Sequence, residues 1–257
     1  MLRSMNRTAT ALLCLSSLVS TRALAQKSVP VTSEPHHHLV HSEDRLRVFR
    51  VEVPAHSATL IHEHVVDYFW IAVGASEFVN AAVGKDEVKV VAPDGSVHFT
   101  RGGFSHLARV DGDRPFRNVT LELPKTQTNP RNLCEAILPN EPVDCAAAMK
   151  ETSKRYTGAA VQPQFETDQV RVTLLTLVKG ATIGLPKTGA APTLVVVDDI
   201  PGTTKLTCAV QAGELRKDLT AKSGDTYPGR EEQRCTLHNF GKATSRFLAV
   251  EFRDPPK

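Results

Sequence analysis

The chain has 257 residues, 41% hydrophobic and 23% charged, with 31 Lys and Arg against 28 Asp and Glu. Three of the arginines (Arg3, Arg7 and Arg22) and no acids lie in the first 25 residues, so the remainder carries 28 charges of each sign. A chain this close to neutral, with no basic cluster, is not built to neutralise phosphates, which excludes nucleic acid as a partner.

Residues 1–25 read as a removable leader. Arg3 and Arg7 precede an apolar stretch from Ala9 to Val19, and Ala23-Leu24-Ala25 stands ahead of Gln26, the three-part pattern of a secretory signal peptide. The mature chain is expected to begin near Gln26, in a bacterial periplasm or outside the cell. No run after the leader approaches the roughly 20 apolar residues of a membrane helix, so no membrane span is expected. Residues 26–40 hold His36-His37-His38 beside Pro30 and Pro35, with His41 just beyond. They are expected to form a flexible His-rich N-terminus, with weak metal binding or relay as the alternative.

From residue 41 to 125 short apolar runs alternate with Gly, Pro, Asp and Asn, as in a β-sandwich or barrel. Residues 57 to 73 are rich in β-branched and aromatic types and end at Gly74, which favours a strand. His62 and His64 then point to one face, because side chains alternate along a strand. Tyr68 shares their parity and Asp67 has the opposite one, so Asp67 joins them only across a bulge or short turn. Glu63 points away. Phe69 and Trp70 read as core residues or as a stacking surface for an aromatic substrate. Some forty residues later Gly102-Gly103-Phe104-Ser105-His106 brings a third imidazole, which completes the minimum ligand set for a metal site with open positions. Arg101 and Arg109 flank this turn as surface residues or as clamps for a substrate carboxylate.

Residues 126–162 form a connector that contains Pro130, Pro139, Pro142, Cys134 and Cys145, with a short helix expected around Ala146 to Arg155. Cys14 leaves with the leader, and four cysteines in an exported chain suggest two disulfides in one of three pairings. Proximity favours Cys134 with Cys145 and Cys208 with Cys235. A thiolate metal site has no Cys-x-x-Cys spacing to support it.

Residues 163–257 repeat the first half. Asp44-Arg45-Leu46-Arg47-Val48 matches Asp168-Gln169-Val170-Arg171-Val172, and Arg117 to Glu122 matches Arg246 to Glu251, which points to an internal duplication. Where the first half has His62 and His64, the second has Leu185-Pro186-Lys187-Thr188. Where the first has His106, residues near Glu231 to Gln233 are expected. His238, the second half's single histidine, reads as a hydrogen-bonded core residue. The second half is therefore expected to hold no metal. Its expected work is packing against the first half, covering a sheet edge and forming one wall of a pocket.

Pro54 through His64 with Asp67 and Gly74 resemble the first motif of the cupins. Gly95 to Phe99, Gly103, His106 and Arg117 to Glu122 resemble the second motif and the strand after it. The resemblance covers roughly residues 40 to 125. It implies an all-β chain of two tandem cupin-like antiparallel β-barrels (jelly rolls), with a metal-bearing barrel at 41–125 and a degenerate one at 163–257. It also implies that His62, His64 and His106 hold one divalent transition metal, which is Fe, Mn, Ni, Cu or Zn. The motif's glutamate is missing, and Asp67 or Tyr68 stands nearest to its place, with Asp67 as ligand or general base.

Two functions follow from the resemblance. One is an exported mononuclear-metal oxidoreductase, dioxygenase-like, that acts on a small oxygenated molecule with Tyr68, Trp70 and Arg101 against the substrate. The other is a non-catalytic protein of the cell envelope that holds a small ligand or a metal. A homodimer is compatible with either.

Overall fold

The computed structural model describes residues 27–158, 160–186, 192–210, 213–229 and 234–253. The leader expected at 1–25 lies outside them, as do the side chain of Cys208, Lys187 and Glu231 to Gln233. Among the described residues no helix is long and apolar enough to cross a membrane.

Four sheets form two face-to-face pairs. In the first half one sheet runs in the order Val29–Pro30, His62–His64, Phe104–Val110, Ser76–Ala82 and Val88–Ala92. The other runs His37–Glu43, Leu46–Val53, Phe116–Leu123, Asp67–Ala72 and Val97–Thr100. The second half has one sheet in the order Arg131–Asn132, Val161–Glu166, Val170–Leu177, Ser245–Phe252, Thr193–Val196 and Thr226–Tyr227. Its partner sheet runs Thr182–Gly184, Arg234–Asn239, Ile200–Val210 and Gly213–Ala221.

The apolar pattern explains why the halves adhere. Along Leu46–Val53, Phe49, Val51 and Val53 face into the first barrel, while Leu46 and Val48 face the second half. Phe69, Ile71 and Leu121 share that outward face and pack in one core with Phe165, Val172, Leu248 and Val250, all of them fully buried. Phe69 meets Phe165 edge to face at 5.2 Å between ring centroids. Each such side chain contributes about 1.5–3 kcal/mol on burial, and the central strands of these sheets are covered on both faces. Strands buried on both sides read as continuous apolar runs. The parity that sends Phe69 to the interface sends Trp70 into the first barrel.

The duplication is visible in the pairing. Val48 stands opposite Leu121, and the matched Val172 stands opposite Val250. The bulge between Leu39 and His41 recurs between Pro163 and Phe165.

The connector contains the helix Cys145–Arg155, capped by Asp144, whose carboxylate accepts from Ala147 N–H at 3.1 Å. Cys134 and Cys145 are joined by a disulfide. Cys235 is also disulfide-bonded, and its main chain stands opposite that of Cys208.

Two expectations need correction here. Residues 26–40 do not form a free tail. Val29–Pro30 pairs in parallel with His62–His64, a 3₁₀ turn covers Val31–Ser33, and His37 opens a strand of seven residues. Val31 and Glu34 are buried, and that burial holds the segment down. His238 is half-exposed rather than in the core, with Nδ1 on the hydroxyl of Thr182 at 2.5 Å.

Candidate metal centre

His62–His64 and Phe104–Val110 are antiparallel neighbours, with His106 directly opposite His62 and Phe104 opposite His64. The glycine pair makes this approach possible. A Cβ on Gly102 would lie 2.3 Å from the carbonyl carbon and oxygen of Val66, and Gly103 has φ of +84°, a conformation that suits glycine. Gly103 N–H then donates to His64 O at 2.7 Å. The structure thus brings His62, His64 and His106 together. His62 is 4.5 Å from His106 and 5.2 Å from His64 between ring centroids.

The facing sheet adds a histidine from the segment expected to be flexible. His37 is paired with Val51, so it shares the inward face, and its ring lies 4.5 Å from that of His62 and 5.7 Å from that of His64. His37, His62 and His64 each offer a ligand atom within 4.8 Å of the others' and form a group able to bind a metal ion.

Every one of the four rings is held by its Nδ1. The partners are Glu34 Oε2 for His37 at 2.6 Å and Leu60 O for His62 at 2.9 Å. For His64 the partner is Glu122 Oε1 at 3.1 Å, and for His106 it is Asn80 Oδ1 at 2.6 Å. All four partners accept, so on His62, His64 and His106, which burial keeps neutral, Nδ1 carries the proton and Nε2 carries the lone pair. His62 Nε2 and His106 Nε2 are buried with no hydrogen-bond partner. An orphaned acceptor on His62, within the His37–His62–His64 group and on rings oriented by carboxylates and carbonyls, is the arrangement of metal-ligating histidines, and His106, whose Nε2 is also orphaned, stands beside that group rather than in it.

Electrostatics keeps the lone pairs free. Burial, with the charge of His37 next, pushes His62 and His64 down to about 3. Burial and the neighbouring imidazoles push His106 down to about 2. These three rings are neutral at any physiological pH. Burial raises the Glu122 carboxyl against the pull of Arg47. Burial would raise Glu34 as well, but His37 and the N–H groups of Leu60 and His36 hold it below its ordinary value.

Asp67 is not in the cluster, which corrects its expected role as ligand or base. It accepts from Arg101 Nη1 at 2.8 Å, Gly102 N at 3.1 Å and Gln127 N at 2.8 Å. It therefore staples the glycine turn to the start of the connector. The strand breaks at Val65 and bends at Val66, and Asp67 opens a strand of the facing sheet, so the break that does intervene carries Asp67 away from the histidines rather than toward them. Tyr68 does face the site, stacked on His64 at 4.1 Å, and burial raises its hydroxyl. Arg101 is tied to Asp67 and lies away from the cavity, and Arg109 is occupied on the surface by Glu87 and Asp111. Neither is placed to clamp a substrate carboxylate.

The histidines open into a cavity of about 220 Å³. Trp70 lines it, stacked on His98 at 4.0 Å, as do Phe78 and Phe116, themselves stacked at 4.0 Å. Among the described residues no Lys, Arg, Asp or Glu lines it. The polar groups on the wall are the imidazoles with Tyr68, Asn80, Asn118, Thr100 and Thr120.

At its described matching positions the second half lacks the cluster. Val161 stands opposite Leu175 as His37 stands opposite Val51. Leu185 takes the place of His62, donating to Cys235 O at 2.8 Å. Cys235 stands ten residues before Ser245, which opens its strand, as His106 stands ten before Phe116. By this spacing the counterpart of His106 is the disulfide-bonded Cys235, just past Glu231 to Gln233, which lie outside the described residues. Glu251, at the place of Glu122, accepts from Tyr156 Oη at 2.6 Å instead of from an imidazole.

The sequence offers no reading of Glu34, Asn80 or Glu122 as site residues, and it offers His37 only within a histidine run whose alternative role is weak metal binding or relay. Glu122 carried a signal, since it is an acid in the apolar strand Phe116–Leu123 and shares the inward parity of Asn118 and Thr120.

No family model and no curated protein matches the chain. Solved structures do match it. AerE from Microcystis aeruginosa is 10% identical over 86% of this chain and 99% of its own, with a TM-score of 0.50. A vicilin from Solanum melongena is 11% identical over 80% and 74%, at 0.53. The oxalate decarboxylase of Lactobacillus farciminis is 10% identical over 83% and 78%, at 0.50. At such identities the likeness is one of fold.

Proposed function

We infer that this chain, which has the tandem cupin fold of the vicilins and oxalate decarboxylases, is an exported protein holding one divalent transition metal in its first barrel. The metal sits on Nε2 of His62, His64 and His106, with His37 beside them as a fourth donor. The observation that carries this reading is the pair of buried, unpartnered Nε2 atoms on rings whose Nδ1 atoms are all anchored. Neutral imidazoles suit iron, manganese, nickel, copper and zinc alike. The leader-like residues 1–25 and the disulfide-bonded Cys134, Cys145 and Cys235 support export to the periplasm or beyond.

The reaction class the site serves best is oxidation of a small oxygenated aromatic molecule. When bound, the metal supplies Lewis acidity and, if redox-active, an electron route to oxygen. The chain supplies the rest. Trp70, Phe78 and Phe116 present aromatic faces and edges that favour a planar ring. Asn80 holds His106, and Asn118 and Thr120 offer hydrogen bonds to ring substituents. With no Lys, Arg, Asp or Glu among the described residues of the wall, a highly charged substrate would lose its hydration without replacement.

A specific observation favours a second reading, a non-catalytic protein that stores the metal or a small ligand. Four imidazoles instead of three close the site, and closed sites are structural. Oxygen consumption separates the two. Metal-loaded protein with catechol as substrate should consume oxygen, and the His62→Ala/His64→Ala double variant should not. Metal uptake and catechol binding without oxygen consumption would select the binding protein.

A further inference from the structure

We propose that Ile137 sets the size of molecule the histidine cavity admits, and that the Cys134–Cys145 disulfide holds it in place. This rests on the cavity of the reading above and not on its metal. Every described residue that lines the cavity comes from the first barrel, between His37 and Thr120, except Ile137, which arrives from the connector. Its side chain is half-buried against the core that joins the halves.

The loop that carries it is fastened from the far side. Leu133 N–H donates to Gln164 O and Cys134 N–H to Pro163 O, each at 3.0 Å, so its first stem is a strand addition to the second barrel. Asn132 grips the loop interior, accepting from Leu138 N at 2.8 Å and donating to Leu138 O and Glu141 O, each at 3.0 Å. The disulfide ties the loop to the first residue of the helix Cys145–Arg155, which is itself held by Arg171 of the second barrel through Ala148 O and Thr152 Oγ1. A loop of twelve residues with three Pro or Asn corners would otherwise sample many conformations. The barrel that lost its histidines thereby acquires a task, since it is the frame that presses one apolar side chain onto its neighbour's cavity.

The chain contains a single tryptophan, Trp70, and it lies on the cavity wall, so its fluorescence reports access. Quenching is measured with acrylamide, which is small, and with the bulkier nitroxide TEMPOL, on the native protein, Ile137→Ala, Ile137→Phe and Cys134→Ser/Cys145→Ser, with thermal melts to verify folding. The expected result is a TEMPOL-to-acrylamide quenching ratio at least threefold higher in Ile137→Ala and in the serine variant, and lower in Ile137→Phe. An unchanged ratio in Ile137→Ala overturns the proposal, whether or not the serine variant changes. Because no metal takes part, a raised ratio in a protein that takes up no metal keeps the lid and removes the metal reading. Metal uptake with an unchanged ratio does the reverse.

Discussion

Glu34 Oε2 lies 2.6 Å from His37 Nδ1, and its other oxygen accepts from Leu60 N–H at 3.2 Å, two residues ahead of His62. One buried carboxylate thus joins an N-terminal turn, the facing sheet and the central histidine strand. Glu34→Gln keeps the shape and removes the charge that orients His37. Loss of such an outer partner costs about 10–100-fold in metal affinity. A chelator-competition titration with zinc should show a loss in that range, and unchanged affinity would take His37 out of the ligand set.

Glu122→Gln acts on His64 in the same way, and it also leaves Arg47 without its carboxylate at 2.9 Å. Both zinc affinity and stability should fall, the latter by about 1–3 kcal/mol for an unsatisfied buried partner, read from urea unfolding of the metal-free protein. A loss of stability with intact affinity would make Glu122 a purely structural acid.

Asp67→Asn separates a staple from a ligand. The variant should lose about 1–3 kcal/mol of stability, because the three donors around Asp67 lose a charged acceptor, while its zinc affinity stays within twofold of the native value. A tenfold or greater fall in affinity with little change in stability would return Asp67 to the metal.

The difference between Asp67 and Glu122 shows what was legible in the sequence. His62, His64 and His106 are readable because strand parity and a glycine pair fix their faces locally, and both features reappear in the structure. The duplication is readable for the same reason, since matched residues keep matched partners. His37 and Glu122 come to the site from the facing sheet, and which residues meet across a barrel depends on how the sheets close, which no local period encodes. The Pro-bounded histidine run resembled a tail because its burial comes from Val31 and Glu34, which are isolated in a polar segment. Asp67 drew attention by spacing, but the bend at Val66 starts a strand of the other sheet there.

Acid sensitivity should follow the depressed histidines. His62, His64 and His106 sit at about 3, 3 and 2 when folded and near 6.5 when unfolded. Below pH 6.5 the unfolded chain therefore binds protons that the folded chain refuses, and stability falls as the pH drops through the window from 6.5 toward 3. The slope is about 1.4 kcal/mol per pH unit for each such histidine. Urea unfolding of the metal-free protein between pH 7 and pH 4.5 should show this fall, and His106→Gln should flatten it by one histidine's share. An identical slope in His106→Gln would mean that His106 is not held neutral.

The central claim is that the first barrel holds one metal and the second none, and elemental analysis of untagged protein beside the His62→Ala/His64→Ala double variant tests it most directly. The account predicts about one equivalent of a transition metal per chain in the native protein and none in the variant. A native protein without stoichiometric metal, with an unchanged melting temperature in the variant, would contradict it.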